Sequence, residues 1–546
     1  MKLLFQSRFP SSIWRHADAG RLVYNDRVEA IRKTEYPMLK GTTYLDHAGT
    51  ALPSRSFIEM FSQEIQSYLI ANPHSASAKT PSTSQVIVQN TRKEVLELFN
   101  ASPEHFEVVF VANATAGIKL VLEAFHGHEQ GFDYYYHRDS HTSLVGVREL
   151  SATSHCLLSD EETEDWIANG EHDGLENANE RPALFAYPAQ SNMNGRRLPL
   201  NWSSRLRSSG RHPQTYTLLD IAALVSTSPL DLSDHDTAPD FLTLSFYKTF
   251  GSPDLGALIV RKSAAHVFDK RRYFGGGTTE LITCDQPWFA RKEGSLSARL
   301  EDGTGATHSI LALSCAIHVH KDMYGGLSEI SKHTGWLAKD LYERLSRLRH
   351  FNGGQVCVIY KDPSSIYGDA TTQGGTVAFN IVNSRGTWVS ASKVGNLAAE
   401  RNIHVRSGGL CNPAGMAQML GHRSEDLRRA YDSGFRCGQA DDVRIGMAFG
   451  MVRASFGACS TLKDVEIFAQ FIEDYFVEKS GGISDWEAHG HVDLGVHQNA
   501  HHESCGRPLD SIPNWLSFQK LSAAPLSKGK RFWRRLGSGF PSHSKA

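Results

Sequence analysis

Between Tyr44 and about Gly325 the chain alternates short apolar runs with helical patterns, and this alternation limits the possible folds more than any other feature. FEVVFVANATAGIKLVLEAF reads as a strand, a turn of small residues and a helix. ALFAYPAQSNMNG, TYTLLDIAALV, DFLTLSFYKTFG and LGALIVRK each carry a compact run rich in β-branched or aromatic residues. Parallel strands need crossovers, usually helical, so the pattern predicts an α/β domain with a mostly parallel central sheet over 41–326. A second segment, 327–478, opens with the amphipathic pattern TGWLAKDLYERLSRL. It continues through GTVAFNIVN, NIHVRSGGLC and GMVRASFG to the helical DVEIFAQFIEDYF, and predicts a smaller α+β C-terminal domain. Residues 1–40 are expected to pack with that smaller domain.

A chain of 546 residues exceeds one ordinary core, in keeping with two or more domains. Lys and Arg total 57 against 59 Asp and Glu, so the net charge of -2 leaves no footprint for nucleic acid or an anionic membrane. No apolar run approaches the roughly 20 residues that span a bilayer. Eight cysteines lie scattered with no C-x-x-C pair, which suits a reducing compartment and a cysteine that works as a thiol. The expected location is cytoplasmic. The start, MKLLFQSRFPSSIWRHADAG, has no acid before Asp18 and makes a mitochondrial transit peptide the weaker alternative. Residues 479–546 are rich in Gly and His and then basic, and read as a disordered or loosely docked tail. His489, His491, His497, His501 and His502 are irregularly spaced without paired Cys ligands, so no metal site is expected.

Several residues have chemistry that converges on one kind of cofactor. Lys248 follows the apolar run FLTLSF; an amine there either reaches solvent or is chemically used, for instance in a Schiff base with an aldehyde. Asp220 ends TYTLLD, where an acid points into the crevice at the carboxyl end of a parallel strand, or simply caps a helix. Small residues in VANATAGIKL, Ala114 and Thr115 among them, expose backbone N–H groups to a phosphate, as any tight strand-to-helix turn also does. His141 can stack on a ring and relay protons; Asn192 can reach a phenolic oxygen. The glycines of YFGGGT allow backbone to approach an anion, or make a flexible loop.

Taken in order, YLDHAGTALPS, NPHSAS, DSHTSLVGVR, YPAQSNMNG, STSPLDLS, SFYKTFG, YFGGGT, LEDGT and VRSGGLCNPAG resemble the class V aminotransferase family of fold-type I pyridoxal-phosphate enzymes. Within it they are most similar to the cysteine-desulfurase part of the molybdenum cofactor sulfurases. The resemblance implies the PLP-dependent transferase fold of type I and pyridoxal 5'-phosphate as cofactor. Lys248 would form the Schiff base, Asp220 would pair with the pyridinium, His141 would stack, and Asn192 would contact the cofactor oxygen. Ala114, Thr115 and Ser245 would hold the phosphate. Gly277 and Thr278 would reach in from a second subunit, which implies a homodimer.

The same resemblance implies a cysteine desulfurase acting on L-cysteine. Arg406 would fork onto the substrate carboxylate, and Cys411, five residues on, would take the sulfur as a persulfide. The acceptor would be molybdenum cofactor or a separate acceptor protein. Gly409 and Met416 stand where relatives have further cysteines, so Cys411 is expected to work without a nearby resolving thiol. Tyr247 and Ala223 depart from the residues common in desulfurases. About seventy residues follow the second segment, too few for the C-terminal MOSC-type domain of the sulfurases, so that domain is expected to be absent. Two further readings stay open: a C–S or selenocysteine lyase on the same scaffold, and a catalytically silent relative that binds a partner.

Overall fold

A computed structural model describes residues 23–73, 81–170, 181–440 and 442–480. The tail expected after 480 and the histidines singled out there lie outside the described residues.

The apolar runs form one seven-stranded sheet. Its strands are β1 (Phe106–Val111), β2 (Asp133–His137), β3 (Thr153–Leu157), β4 (Ala183–Pro188), β5 (Thr215–Asp220), β6 (Phe241–Ser245) and β7 (Gly256–Arg261). They lie in the order β1-β7-β6-β5-β4-β2-β3. Neighbours from β6 to β3 are parallel, and β7 runs antiparallel to both β6 and β1. The predicted parallel α/β sheet is therefore present, with β7 as its one reversed strand. Both faces are covered, which explains why the runs are continuously apolar. Leu218 joins Phe125 and Phe241 in the core on one face, and its neighbour Leu219 joins Phe185 and Ile221 on the other.

Crossover helices follow the strands. Helix α1 (Ala114–His126) leaves β1 after Asn113, whose side chain caps it by accepting from Ala116 N–H at 3.0 Å. Gly117 on α1 sits where a Cβ would come within 2.9 Å of Thr243 on β6, so the helix lies close against the sheet. The short helix α2 (Thr142–Val145) follows β2, and one turn, α3 (Tyr247–Phe250), follows β6. Helix α4 (Thr307–Tyr324) packs on the sheet's outer layer through Ile310, Leu313 and Val319.

A second, antiparallel sheet follows in the chain. It comprises β8 (Cys357–Ile359), β9 (Thr376–Val382), β10 (Trp388–Val389), β11 (Arg406–Gly408) and β12 (Met451–Ser455), in the path β8-β9-β12-β11 with β10 against β9. Helices α5 (Leu327–Arg347) and α6 (Leu462–Phe476) bury Leu337, Leu341, Phe468 and Ile472 with Val377 and Val452 of this sheet. The segment just before the first sheet ties into this region. Arg32 pairs with Asp464 of α6 at 2.7 Å, and Ser455 N–H donates to Leu45 O at 2.7 Å. Among the described residues no helix is long and apolar enough to cross a membrane.

Candidate active site

In an open α/β sheet, side chains that follow the carboxyl ends of the strands share one crevice. Here Val111, His137, Pro188, Asp220 and Ser245 are the last residues of β1, β2, β4, β5 and β6. The loops beyond those ends line a cavity with Ala114, Thr115, His141, Asn192, Asp220, Ser245 and Lys248. Seven residues singled out in the sequence thus meet in one place.

Lys248 lies in the single turn α3, directly after β6. It is half-buried, and the dense surroundings of its amine lower its pKa, an effect that Asp220 opposes. The residue at 220 is 9 % exposed and accepts from Ala222 N–H at 3.0 Å. A carboxylate, an amine and an imidazole gathered in one cavity, with pKa values shifted by burial and by one another, are the pattern of a functional site. His141 is lowered as well: burial is the main cause, Asp220 pulls the other way, and Lys248 and Arg453 reinforce the depression. His141 Nδ1 accepts from Ser143 N–H at 3.1 Å, so Nε2 is the nitrogen left for other work.

Part of the cavity lining lies at the N-terminus of α1. Ser245 Oγ accepts from Ala114 N–H at 2.9 Å, and Thr115 Oγ1 lies 2.7 Å from Ser143 Oγ. These groups surround the N-terminus of α1, where the helix dipole favours negative charge. Gly256 lets this corner form: a Cβ there would stand 2.6 Å from Asn113 Cα and 2.5 Å from Leu244 O. An amine of lowered pKa, a buried carboxylate, an imidazole and an anion-binding helix end together match the donor set of a phosphorylated aromatic aldehyde.

Helix α7 (Pro413–Met419) follows Cys411 in the second region. Cys411 is exposed and has a left-handed backbone with φ 56°, which a non-glycine residue adopts only when its surroundings hold it there. Two contacts do so. Thr142 N–H donates to Cys411 O at 3.0 Å, tying this loop to the residue after His141. Leu410 O accepts from Asn192 Nδ2 at 2.7 Å. Asn192, expected to contact the cofactor, lines the cavity and also holds the Cys411 loop through its amide nitrogen.

The sequence reading missed several residues. Asn412, 1 % exposed, donates to Asp139 O at 3.0 Å and to Asn192 Oδ1 at 3.2 Å, and caps α7 by accepting from Gly415 N–H. An N-cap asparagine before a proline was visible in CNPAG, but its reach to two distant loops was not. Arg196 pairs with Asp139 at 3.2 Å and with Asp362 at 2.9 Å, which fixes the loop leading to His141. Arg453 of β12 is 5 % exposed and donates to Asn192 O at 2.9 Å and to Asp46 at 2.6 Å. Its Nε has no partner. Arg406 is the cross-strand partner of Arg453 on the edge strand β11, and it is exposed. The two guanidiniums share a face of the sheet, and the buried one acts electrostatically on Lys248.

Gly277 and Thr278 do not line this cavity. Thr278 Oγ1 donates to Gly275 O at 2.8 Å, within its own loop. The expectation of no thiol near Cys411 needs correction: a Cβ at Gly409 would come 2.8 Å from Cys437 Sγ, so the missing side chain at 409 leaves room for a cysteine from elsewhere in the chain.

Comparison with known proteins agrees with this geometry. The aminotransferase class-V family model matches residues 43–468. Curated relatives named molybdenum cofactor sulfurase include one from Aspergillus niger, 51% identical over 86% of this chain and 56% of its own length. Another, from Chaetomium globosum, is 50% identical over 84% of this chain and 58% of its own. The chain therefore spans little more than half the length of these relatives. Among solved structures, the apo cysteine desulfurase of Thermococcus onnurineus NA1 superposes with a TM-score of 0.61 at 19% identity, covering 83% of this chain and 98% of that one. A cysteine desulfurase of Escherichia coli gives 0.60 at 19% identity, with the same coverage. The fold is that of the fold-type I enzymes, and the chain belongs to the class-V aminotransferase family.

Proposed function

We propose that this chain is a pyridoxal-phosphate-dependent cysteine desulfurase that moves sulfur from L-cysteine to Cys411. The observation that carries the proposal is the convergence of Lys248, Asp220 and His141 on one cavity, with the Cys411 loop hydrogen-bonded to the residue after His141. The relatives named molybdenum cofactor sulfurase and the structural neighbours named cysteine desulfurase support it.

When bound, the cofactor supplies a ring that accepts electrons from the substrate. The chain's own residues do the rest. Lys248 Nζ, of lowered pKa, is the amine that holds the aldehyde and then moves a proton. Asp220, which lines the same cavity, would keep a ring nitrogen protonated. Thr115, Ser245 and the N–H groups of α1 anchor the phosphate. Arg453, with Arg406 beside it, orients the substrate carboxylate. The Cys411 thiol takes the substrate sulfur, so L-cysteine and one thiol become alanine and one persulfide.

The persulfide sulfur then passes to an acceptor, molybdenum cofactor or a separate protein. Gly277 and Thr278 complete the phosphate site of a second copy, in a homodimer. The scattered thiols suit a reducing compartment such as the cytoplasm.

The test is to incubate the purified, cofactor-loaded protein with L-cysteine, measuring alanine and mapping added sulfur by mass spectrometry. Alanine and a persulfide on Cys411 are expected, with both lost in Lys248→Ala. Sulfide release that persists in Cys411→Ser would instead identify a C–S lyase, and the absence of any cofactor absorbance would identify a silent relative.

A further inference from the structure

Three exposed thiols stand out among the described residues: Cys284, Cys411 and Cys437. Cys437 is 26 residues from Cys411 in the chain, yet its Sγ packs on the backbone of Gly409, 2.8 Å from where a Cβ would be. Two residues of chain span at most about 7 Å, which puts Cys437 Sγ within roughly 11 Å of Cys411 Cα.

The Cys437 loop is held at that place. Helix α8 (Ser424–Asp432) leads into it, and the left-handed Gly434 (φ 95°) and Gly438 (φ 87°) flank the thiol. Ser392 Oγ donates to Gln439 O at 3.2 Å, and Ser392 N–H donates to Asp442 at 3.0 Å. Asp442 lies against Gly450, and Gly450 lies against Gly408 of β11, the strand from which the Cys411 loop departs. Both loops are thus anchored to one sheet edge, with both thiols exposed. Other cysteines are differently placed: Cys315, Cys357 and Cys459 are buried, and burial raises their pKa to about 12.

We infer that Cys437 is a second sulfur carrier, which takes the outer sulfur from a persulfide on Cys411 and presents it to the acceptor. The inference rests on the desulfurase reading above. In the transfer, the Cys437 thiolate attacks the outer sulfur of Cys411–S–SH. A new S–S bond forms on Cys437, the old S–S bond breaks, and Cys411 leaves as a thiolate, which takes up the proton that Cys437 gave up. Sulfane sulfur is passed on unchanged in oxidation level, so no external oxidant or reductant is needed. Cys411 is thereby freed for the next substrate, and the sulfur sits on a loop clear of the cofactor cavity.

The test uses the cofactor-loaded full chain under anaerobic conditions with L-cysteine, quenched with alkylating reagent at successive times and mapped by peptide mass spectrometry. The added sulfur is expected first on Cys411 and then on Cys437, while Cys284 stays unlabelled. In Cys437→Ser it should accumulate on Cys411, and in Cys411→Ser neither site should gain it. A Cys411 persulfide with no label on Cys437 at any time would overturn the relay and leave the desulfurase reading standing. Equal labelling of Cys284 and Cys437, or labelling of Cys437 in Cys411→Ser, would also overturn it, because the sulfur would then arrive through solution. No alanine and no label on Cys411 would remove the desulfurase reading and the relay with it.

Discussion

The backbone N–H of Thr142 donates to the carbonyl of Cys411 at 3.0 Å, joining two loops 269 residues apart in the chain. One loop carries the imidazole that lines the cavity, and the other carries the thiol. The position of the thiol is therefore inherited from the sheet through His141, and loosening this junction should affect sulfur transfer before it affects cofactor binding.

Asn412 gives the first prediction. It is buried and ties Asp139, Asn192 and Gly415 together. Asn412→Ala strands several of these groups and is expected to cost about 2 kcal/mol or more of stability. Cofactor absorbance should persist while persulfide formation on Cys411 slows. Denaturant midpoints and time-resolved mapping read the two effects, and unchanged values in both would show the junction to be incidental.

The two facing arginines separate in a kinetic comparison. A charge-assisted hydrogen bond contributes about 1.5–3 kcal/mol, so loss of the buried Arg453 should raise the KM for L-cysteine by roughly 10- to 100-fold. Arg453→Lys keeps the charge against Asp46 and tests the need for a forked donor. Arg406→Met, at the exposed edge, should shift KM only a few-fold. The reverse ranking would return the substrate carboxylate to Arg406.

Close packing at Gly256 predicts a linked loss. Gly256→Ala would press on Asn113 and Leu244 O, and overpacking of this kind costs about 1–3 kcal/mol. Because Asn113 caps α1, the phosphate end of the cavity moves too, and cofactor retention on dialysis should fall. Gly305→Ala, where a Cβ meets nothing within 4 Å, is the matched control. Equal retention in the two variants would dissociate Gly256 from the site.

Acid sensitivity follows from three histidines, His47 and His333 buried and His320 half-buried. Burial lowers His47 to about 3 and His320 and His333 to about 4, from an ordinary 6.5. For His333 burial is the cause, and its Nε2 bond to Ser460 O pulls the other way, while Nδ1 accepts from Asn25 N–H. Their folded pKa values lie below the unfolded ones, so the stability they contribute is complete above about pH 6.5 and is lost as pH falls toward 4. Each adds up to about 1.4 kcal/mol per pH unit in that window. Denaturant midpoints between pH 7 and pH 5 should fall accordingly, and His320→Leu should remove one proton from the slope. A flat profile would mean that these rings take up protons in the fold as readily as in the unfolded chain.

Much of the sheet was legible because each run satisfies a local rule. A continuous apolar run ending in a functional residue, as in TYTLLD, is what a strand buried on both faces requires, and Asp220 appears at its carboxyl end as expected. The reversed direction of β7 was not legible, since direction depends on crossover length and packing rather than on the run LGALIVRK itself. In the site, residues adjacent to motifs were found and residues that reach across were missed. Arg453 lies in a plain apolar strand, and only the fold shows that β12 delivers it to Asn192 and Asp46. Cys437 escaped for the same reason, because its neighbour Gly409 is close in space and 28 residues away in sequence.

The place of β12 between β9 and β11 sets a timetable for synthesis. Asp46 leaves the ribosome early, Asn192 midway, and Arg453 near the end of the described chain, and the arginine joins the other two. A nascent chain can close its parallel sheet and seat the anion end of the cavity long before β12 emerges. Until then Asp46 lacks its guanidinium and β11 lacks its partner strand. A chain stalled before residue 455 would therefore hold the Cys411 loop only through its contacts with Thr142 and Asn192, with no neighbouring strand to continue β11 into the sheet.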